Sequence, residues 1–285
     1  MINFCHIAPT KFLSTYTSTN GAHLLLAHLV EEDAEYQNYY ANLSDGKYKI
    51  MDNSAFEMFK LGLPMYESSK LIEMGKACNA NCIVLSDYPK QPSMVTVNAA
   101  KKLIPEFKGE GFDTFFVPQS TLGDMTDLVN AIEWALNNPD IDLIGLSILA
   151  APIACGVDES TFEGGKRSDA YKMQRYLSRL TVFRELERRN LLTSNAKKRF
   201  HCLGMVDGPK EINLLREYSD FIFSWDSSAA VWAGINDIRF DASPTGLKDG
   251  KFEKEVDFHF AGDHNVLAVH DNIHYIDCMA TGSWR

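Results

Sequence analysis

No run of about eighteen apolar residues occurs in the 285-residue chain, so no membrane-spanning helix and no membrane partner are expected. The N-terminus, Met1-Ile2-Asn3-Phe4, lacks a basic stretch leading into an apolar one, which argues against a secretory signal. Cysteine is sparse. Cys5, Cys78, Cys82, Cys155, Cys202 and Cys278 are scattered, a pattern that suits reduced thiols in a cytoplasmic protein better than a disulfide framework. Cys78 and Cys82 stand four residues apart without companions to complete a metal site, so core packing is their expected role. There is no Gly-rich dinucleotide loop after the first apolar segment, no internal repeat, no low-complexity tract and no linker. Positive charge is also in deficit. A net charge of −10 argues mildly against nonspecific nucleic-acid binding, which depends on neutralising phosphates.

What is present reads as one α/β domain. The hydrophobic fraction of 45% and charged fraction of 23% are ordinary for a globular protein. Short apolar, β-prone segments at 2–8, 47–51, 82–86, 114–117, 142–146, 200–204 and 220–224 read as strands. Residues 22–30 form another apolar run whose periodicity fits strand or helix. Between these lie helical patterns at 31–43, 64–77, 92–107, 123–136, 168–190 and 209–218, while 150–166 reads as a long loop over a site. Such alternation implies parallel βαβ units. Eight units predict a closed (β/α)8 TIM-like barrel, irregular near the N-terminus, spanning 1–285 with 235–285 as a small C-terminal extension. An open doubly wound sheet is the alternative.

The strand ends carry the chemistry. Residues 48–51 stop abruptly at Asp52-Asn53-Ser54, and in a barrel a carboxylate there faces the mouth. The other ends deliver Asp87, Gln119, Gly145-Leu146-Ser147, His201 with Gly204, and Asp226. Carboxylates from distant strands plus an amide suit glycosyl transfer on a purine-like base: one attacks the anomeric carbon and another moves protons on the base. Each residue also has a plainer reading. Asp52, Asp87 and Gln119 fit ordinary turns, and Asp226 before Ser227-Ser228 fits a helix cap. His201 reads as a structural barrel residue.

Taken in order, these segments resemble the tRNA-guanine transglycosylase superfamily, the queuine tRNA-ribosyltransferases. Met51-Asp52-Asn53-Ser54-Ala55-Phe56-Glu57 is similar to that family's Asp-Ser-Gly-Gly-Phe-Gln stretch, and Ser86-Asp87-Tyr88-Pro89 to its base-recognising segment. Phe116-Val117-Pro118-Gln119-Ser120 resembles Val-Gln-Gly, and Leu143-Ile144-Gly145-Leu146-Ser147 resembles Gly-Gly-Leu. His201-Cys202-Leu203-Gly204 resembles Leu-Met-Gly, and Phe223-Ser224-Trp225-Asp226 resembles Phe-Asp-Cys. The resemblance implies that Asp226 is the nucleophile and Asp52 the general acid/base. It also implies that Asp87, Gln119, Gly145, Leu146 and Ser54 hold the base. The implied reaction exchanges guanine in a nucleic acid for a 7-deazaguanine, a pentosyl transfer that requires no cofactor.

The family's Cys-x-Cys-x2-Cys and His zinc site is missing, since Cys278 is the one cysteine after Asp226. His259, His264, His270 and His274 lie there and are chemically able to bind zinc, but the familiar ligand spacings are absent and polar surface histidines are the expected reading. The short length and lost zinc motif resemble the phage-associated, DNA-directed members. DNA is therefore favoured over tRNA as partner, and a host cytoplasm is the expected location. Between Lys166 and Arg199 eleven basic residues oppose three acidic ones, a local +8 on an acidic chain. Lys166, Arg167, Lys172, Arg175 and Arg179 are the expected phosphate contacts, with a solvated amphipathic helix as the alternative. Trp225, Trp232 and Trp284 are candidates for a homodimer face or for stacking on bases. Two other functions use the same residues: a small-substrate nucleoside or sugar hydrolase, and a noncatalytic partner in nucleic-acid modification.

Overall fold

The computed structural model describes residues 1–205, 207–248 and 254–283. Eight strands run β1 Asn3–His6, β2 Ala22–Leu26, β3 Tyr48–Asp52, β4 Cys82–Val84, β5 Asp113–Phe116, β6 Leu143–Ser147, β7 Phe200–Leu203 and β8 Ile222–Ser227. All are parallel, in the sheet order β1-β8-β7-β6-β5-β4-β3-β2. The sheet curls into a nearly closed (β/α)8 barrel of the TIM type. Its gap between β1 and β2 is bridged locally. The Gly21 N–H donates to Phe4 O at 2.9 Å, and the Asn20 side chain bonds both backbone groups of His6. A Cβ on Gly21 would lie 2.8 Å from Asn3 Cα, so glycine is what permits this approach.

The first six helices are α1 Leu13–Tyr16, α2 Ala27–Glu32, α3 Ala34–Asn42, α4 Ala55–Leu61, α5 Ser68–Ala77 and α6 Ser93–Gly109. Then follow α7 Met125–Leu136, α8 Ala150–Ala154, α9 Asp169–Arg188, α10 Glu211–Leu214, α11 Ala229–Ile235 and α12 Val266–Thr281. With helices outside, the strands are covered on both faces. This is why β2 and β4 are buried along their whole length and read as continuous apolar runs. Even Lys49 is buried, its ammonium donating to Tyr40 O, Leu43 O and Cys78 O near the C-terminal ends of α3 and α5.

Several boundaries differ from the sequence reading. Residues 22–30 are strand and then helix, because β2 gives way to α2 at Ala27. The 31–43 pattern breaks at Asp33, whose carboxylate accepts from the Glu35 and Tyr36 N–H groups and caps α3. The 150–166 segment is not all loop, since α8 is buried throughout and packs on α9. The C-terminal extension forms α12, which seals the barrel: the Ile2 N–H donates to Ala280 O, and His6 meets Asp277 at 2.8 Å. Among the described residues no helix is long and apolar enough to cross a membrane. All six cysteines are free, and Cys78 and Cys82 are buried in the core.

Candidate active site

At the C-terminal end of β3, Asp52-Asn53-Ser54 does build a turn. The Ser54 N–H donates to Asp52 Oδ2 at 3.0 Å, and the Ala55 N–H to Asn53 Oδ1 at 2.9 Å. Ser54 takes a left-handed backbone, φ 54°, which is costly for a side-chain-bearing residue and recurs at functional sites. Its hydroxyl accepts from the His28 N–H at 3.2 Å and meets His28 Nδ1 at 2.9 Å. Burial, then the charge on His259, pushes the His28 ring down to about 4. A neutral ring accepts the Ser54 proton at Nδ1.

The turn leaves Asp52 in acidic company. Burial first, then the charges on Glu57, Asp226 and Asp87, raises its carboxyl well above the usual range, which favours the protonated form. Glu57, in the first turn of α4, is itself raised to about 7 by burial and by Asp226. The sequence reading placed Glu57 in a motif without giving it a role. Its position five residues after Asp52, where the chain turns into a helix, was the available signal.

Asp87 follows β4 and is 4% exposed. Asn53 Nδ2 donates to its Oδ1 at 2.9 Å and to Leu85 O at 2.7 Å, and Gln119 Nε2 donates to its Oδ2 at 2.5 Å. Burial pushes the Asp87 carboxyl up to about 6 against the opposing pull of those two amides. Asn53, Asp87 and Gln119 thus form one hydrogen-bonded unit. Gln119 Oε1 is buried without a hydrogen-bond partner, an acceptor left for something else.

Asp226 lies inside β8, in register with Cys5 of β1, and is 5% exposed. His201 Nε2 meets its Oδ1 at 2.9 Å, and the Gly204 N–H donates to the same oxygen at 3.1 Å. His201 is fully buried, and its Nδ1 meets Ser224 Oγ at 2.6 Å, which fixes the ring. Both donors converge on Oδ1, so Oδ2 carries no hydrogen bond among the described residues. Asp226 does not cap α11: the N-cap position is Ser228, and the Ser227 hydroxyl just before it accepts from the Ala229 N–H at 2.9 Å. His201, read from the sequence as a structural barrel residue, has both ring nitrogens engaged, one by Ser224 and one by Asp226.

Gly145 lies in β6 opposite His201, where a Cβ would come 2.7 Å from the Phe115 ring. No larger residue fits. Leu146 is buried and pairs with Cys202 on the other face of the sheet, so it offers the mouth backbone rather than side chain.

The basic set divides. Lys166 and Arg167 are exposed in a short turn before α9, with Lys166 3.5 Å from Glu159. Lys172 is half-buried, and Arg175 pairs with Asp207 at 3.5 Å and lies over the Tyr171 ring. Arg179 is no surface cation. It is fully buried, donates to Leu203 O at 2.5 Å and Gly204 O at 2.9 Å, pairs with Glu211 at 3.3 Å, and lies 5.1 Å from the Trp225 ring. Helical spacing put Arg179 in line with Lys172 and Arg175 but cannot register that α9 rolls this position onto the barrel.

Trp225 and Trp232 are likewise buried rather than at a dimer face, and Trp284 lies outside the described residues. Among the described residues no three His, Cys, Asp or Glu side chains gather to hold a metal ion. His264 meets the Tyr16 hydroxyl, His270 packs edge-on against the Tyr16 ring, His259 lies 3.7 Å from Asp33, and His274 contacts Cys278. These residues do not assemble a zinc site. A scan against protein-family models found no match, and neither did a search of curated proteins.

Proposed function

We propose that the protein is a nucleic-acid guanine transglycosylase, exchanging guanine for a 7-deazaguanine, with DNA favoured over tRNA. The observation that carries this reading is the contrast between two carboxylates at one mouth. Asp226 is held through Oδ1, with Oδ2 unbonded among the described residues, while burial and neighbouring acids raise Asp52 toward its protonated form. Asp226 Oδ2 attacks C1′ of the target nucleotide as the C1′–N9 bond breaks, and Asp52 delivers its proton to the departing guanine. The entering base then gives its N9 proton back to Asp52, forms the new C1′–N9 bond, and releases Asp226 from the ester. Two displacements at one carbon give net retention.

The Asn53–Asp87–Gln119 unit supports a purine-like base, because a carboxyl and the unpartnered Gln119 Oε1 present acceptors to the donor edge of guanine. The left-handed Ser54 supports the resemblance too, since the similar pattern carries glycine at that position. Lys166, Arg167, Lys172 and Arg175 remain for phosphates. The buried target base must leave its stack to reach the mouth, which favours unpaired or flipped substrate.

The test is incorporation of radiolabelled guanine into duplex DNA, single-stranded DNA and bulk tRNA, with Asp226→Ala beside the wild type. Asp226-dependent label in one polymer is expected. No label in any polymer, and none with 7-deazaguanine precursors, would overturn the reading in favour of a small-substrate hydrolase or a binding protein.

A further inference from the structure

The two halves of the barrel rim differ in what covers them. Over β8, β1 and β2 the C-terminal extension closes the rim. The Thr10 N–H donates to Phe258 O at 3.0 Å, Phe258 packs on His28, and Trp232 Nε1 donates to Lys254 O at 2.9 Å. Over β3 the extension touches α4 through the exposed Lys60–Glu255 pair, and over β4 and β5 no hydrogen bond from it lies among the described residues.

That open half collects the chain's exposed apolar side chains. Of twelve large apolar residues exposed among the described residues, nine lie on the segments following β3, β4, β5 and β6. Phe56, Phe59, Leu61 and Leu63 follow β3, Met94 and Val95 follow β4, and Leu122 follows β5. The remaining two are on α9, after β6. Phe56 and Phe59 stand three residues apart on α4, the helix that carries Glu57 toward Asp52 and Asp226, and each ring is nearly half exposed. Isolated exposed apolar residues need no explanation, but two exposed rings one turn apart on the helix that carries Glu57, with Lys90 over one of them, do.

Cations are interleaved with the arc. Lys90 Nζ lies 5.7 Å from the centre of the Phe59 ring, and Lys166 and Arg167 end the arc on the β6 side. Lys60, on α4, is tied to Glu255, and Lys166 to Glu159, both in exposed pairs that cost little to open. An exposed ring with a cation over it matches a strand whose bases are unstacked, because every base has a face to stack and every linkage a phosphate. A second copy docked two-fold on this arc would bring like cations together.

We propose that the β3–β6 half-rim is a stacking platform for the unpaired nucleotides that flank the target base. Phe56 and Phe59 receive bases, while Lys90, Lys166 and Arg167 receive phosphates. This rests on the polymer-substrate reading above and adds to it a preference for single-stranded or locally opened nucleic acid.

The experiment is fluorescence anisotropy with dye-labelled single-stranded oligonucleotides and their duplexes, over a range of salt, on the full chain. The Phe56→Ala/Phe59→Ala variant is expected to bind single strands about tenfold more weakly or worse, with an unchanged salt slope. Phe59→Tyr, which keeps the ring, is expected to bind like wild type. Lys166→Gln/Arg167→Gln is expected instead to flatten the salt slope by about one to two. If wild type binds nucleic acid and the double Phe variant binds it equally well, the platform is wrong while the polymer reading survives. If wild type binds no oligonucleotide at low salt, both fail. Concentration-dependent dimerisation abolished by the double Phe variant would then mark the arc as a self-association face.

Discussion

The β8 end and the β3 end of the mouth each present an aspartate, and their surroundings are opposites. Asp226 sits among donors, with the His201 ring and the Gly204 N–H on one of its oxygens. Asp52 sits among acids, and burial with Glu57, Asp226 and Asp87 raises it. One residue type is thereby set for two tasks: an oriented carboxylate can attack carbon, and a protonated one can deliver a proton. The asymmetry comes from the surroundings, burial first on the β3 side and hydrogen-bond donors on the β8 side.

Breaking the β8 side should have the largest effect. Asp226→Ala is expected to lower base exchange by at least a thousandfold, since the covalent route is lost. Residual exchange near wild type would remove the nucleophile assignment. Asp226→Asn should retain the fold, because an amide oxygen still accepts from His201 and Gly204, so its melting temperature separates a chemical loss from a structural one.

On the β3 side activity and stability should move in opposite directions. Asp52→Asn is expected to cost about a hundredfold to ten-thousandfold in exchange rate, the usual range for a lost general acid/base. A carboxyl raised in the folded state stabilises the fold only while protonated, and that contribution is lost as pH rises through its folded pKa. Asp87, raised from 3.8 to about 6, and Glu57, raised from 4.5 to about 7, place such a loss between about pH 4 and 7. Wild-type stability should therefore fall across that window, and Asp52→Asn should melt higher than wild type, by a margin wider at pH 8 than at pH 5. A variant that is less stable at both values would refute the protonated assignment.

How much of this could be read in the chain varies with the kind of information. The barrel was legible because parallel strands buried on both faces leave continuous apolar runs such as 82–84, and strand-end polar residues mark the mouth. Asp52, Asp87, Gln119 and Asp226 were legible for the same reason. What bonds to them was not. That Asn53 and Gln119 flank one carboxylate depends on three strand ends meeting in space, and no spacing encodes it. Arg179 was misjudged because a cation at helical spacing reads as surface, whereas burial is decided by which face of α9 meets β7. The 266–281 helix was passed over because its importance lies in sealing β1 more than two hundred residues away.

Arg179 offers the next smaller test of the same contrast, since it acts on Asp226 through Gly204. Its guanidinium holds the carbonyls of Leu203 and Gly204, and the Gly204 N–H holds Asp226. Arg179→Met leaves the buried Glu211 without that guanidinium and should destabilise the fold by about 3–5 kcal/mol. Arg179→Lys keeps the charge but loses the planar fork, so it should recover part of that stability. For a positioning residue, kcat should fall about a hundredfold in the Lys variant with KM nearly unchanged, since a small misplacement of the nucleophile is enough. Equal loss in kcat and KM would mark a general structural role instead.

The smallest effect expected is at Glu57, and it probes the acid side alone. Glu57 carries no proposed proton, yet after burial its charge raises Asp52 more than that of any other neighbour. As pH passes about 7, Glu57 ionises and makes the loss of the Asp52 proton harder. Glu57→Gln removes that repulsion while keeping the side chain's length. Asp52 should then lose its proton at lower pH, and the alkaline limb of the exchange profile should move down by about one unit, with the rate at pH 6 changed only a few-fold. Asp226→Ala cannot report this shift, because it abolishes the reaction being measured. An alkaline limb that stays in place in Glu57→Gln would show that burial alone protonates Asp52. The contrast between the two ends would then rest on depth in the mouth rather than on crowded charge.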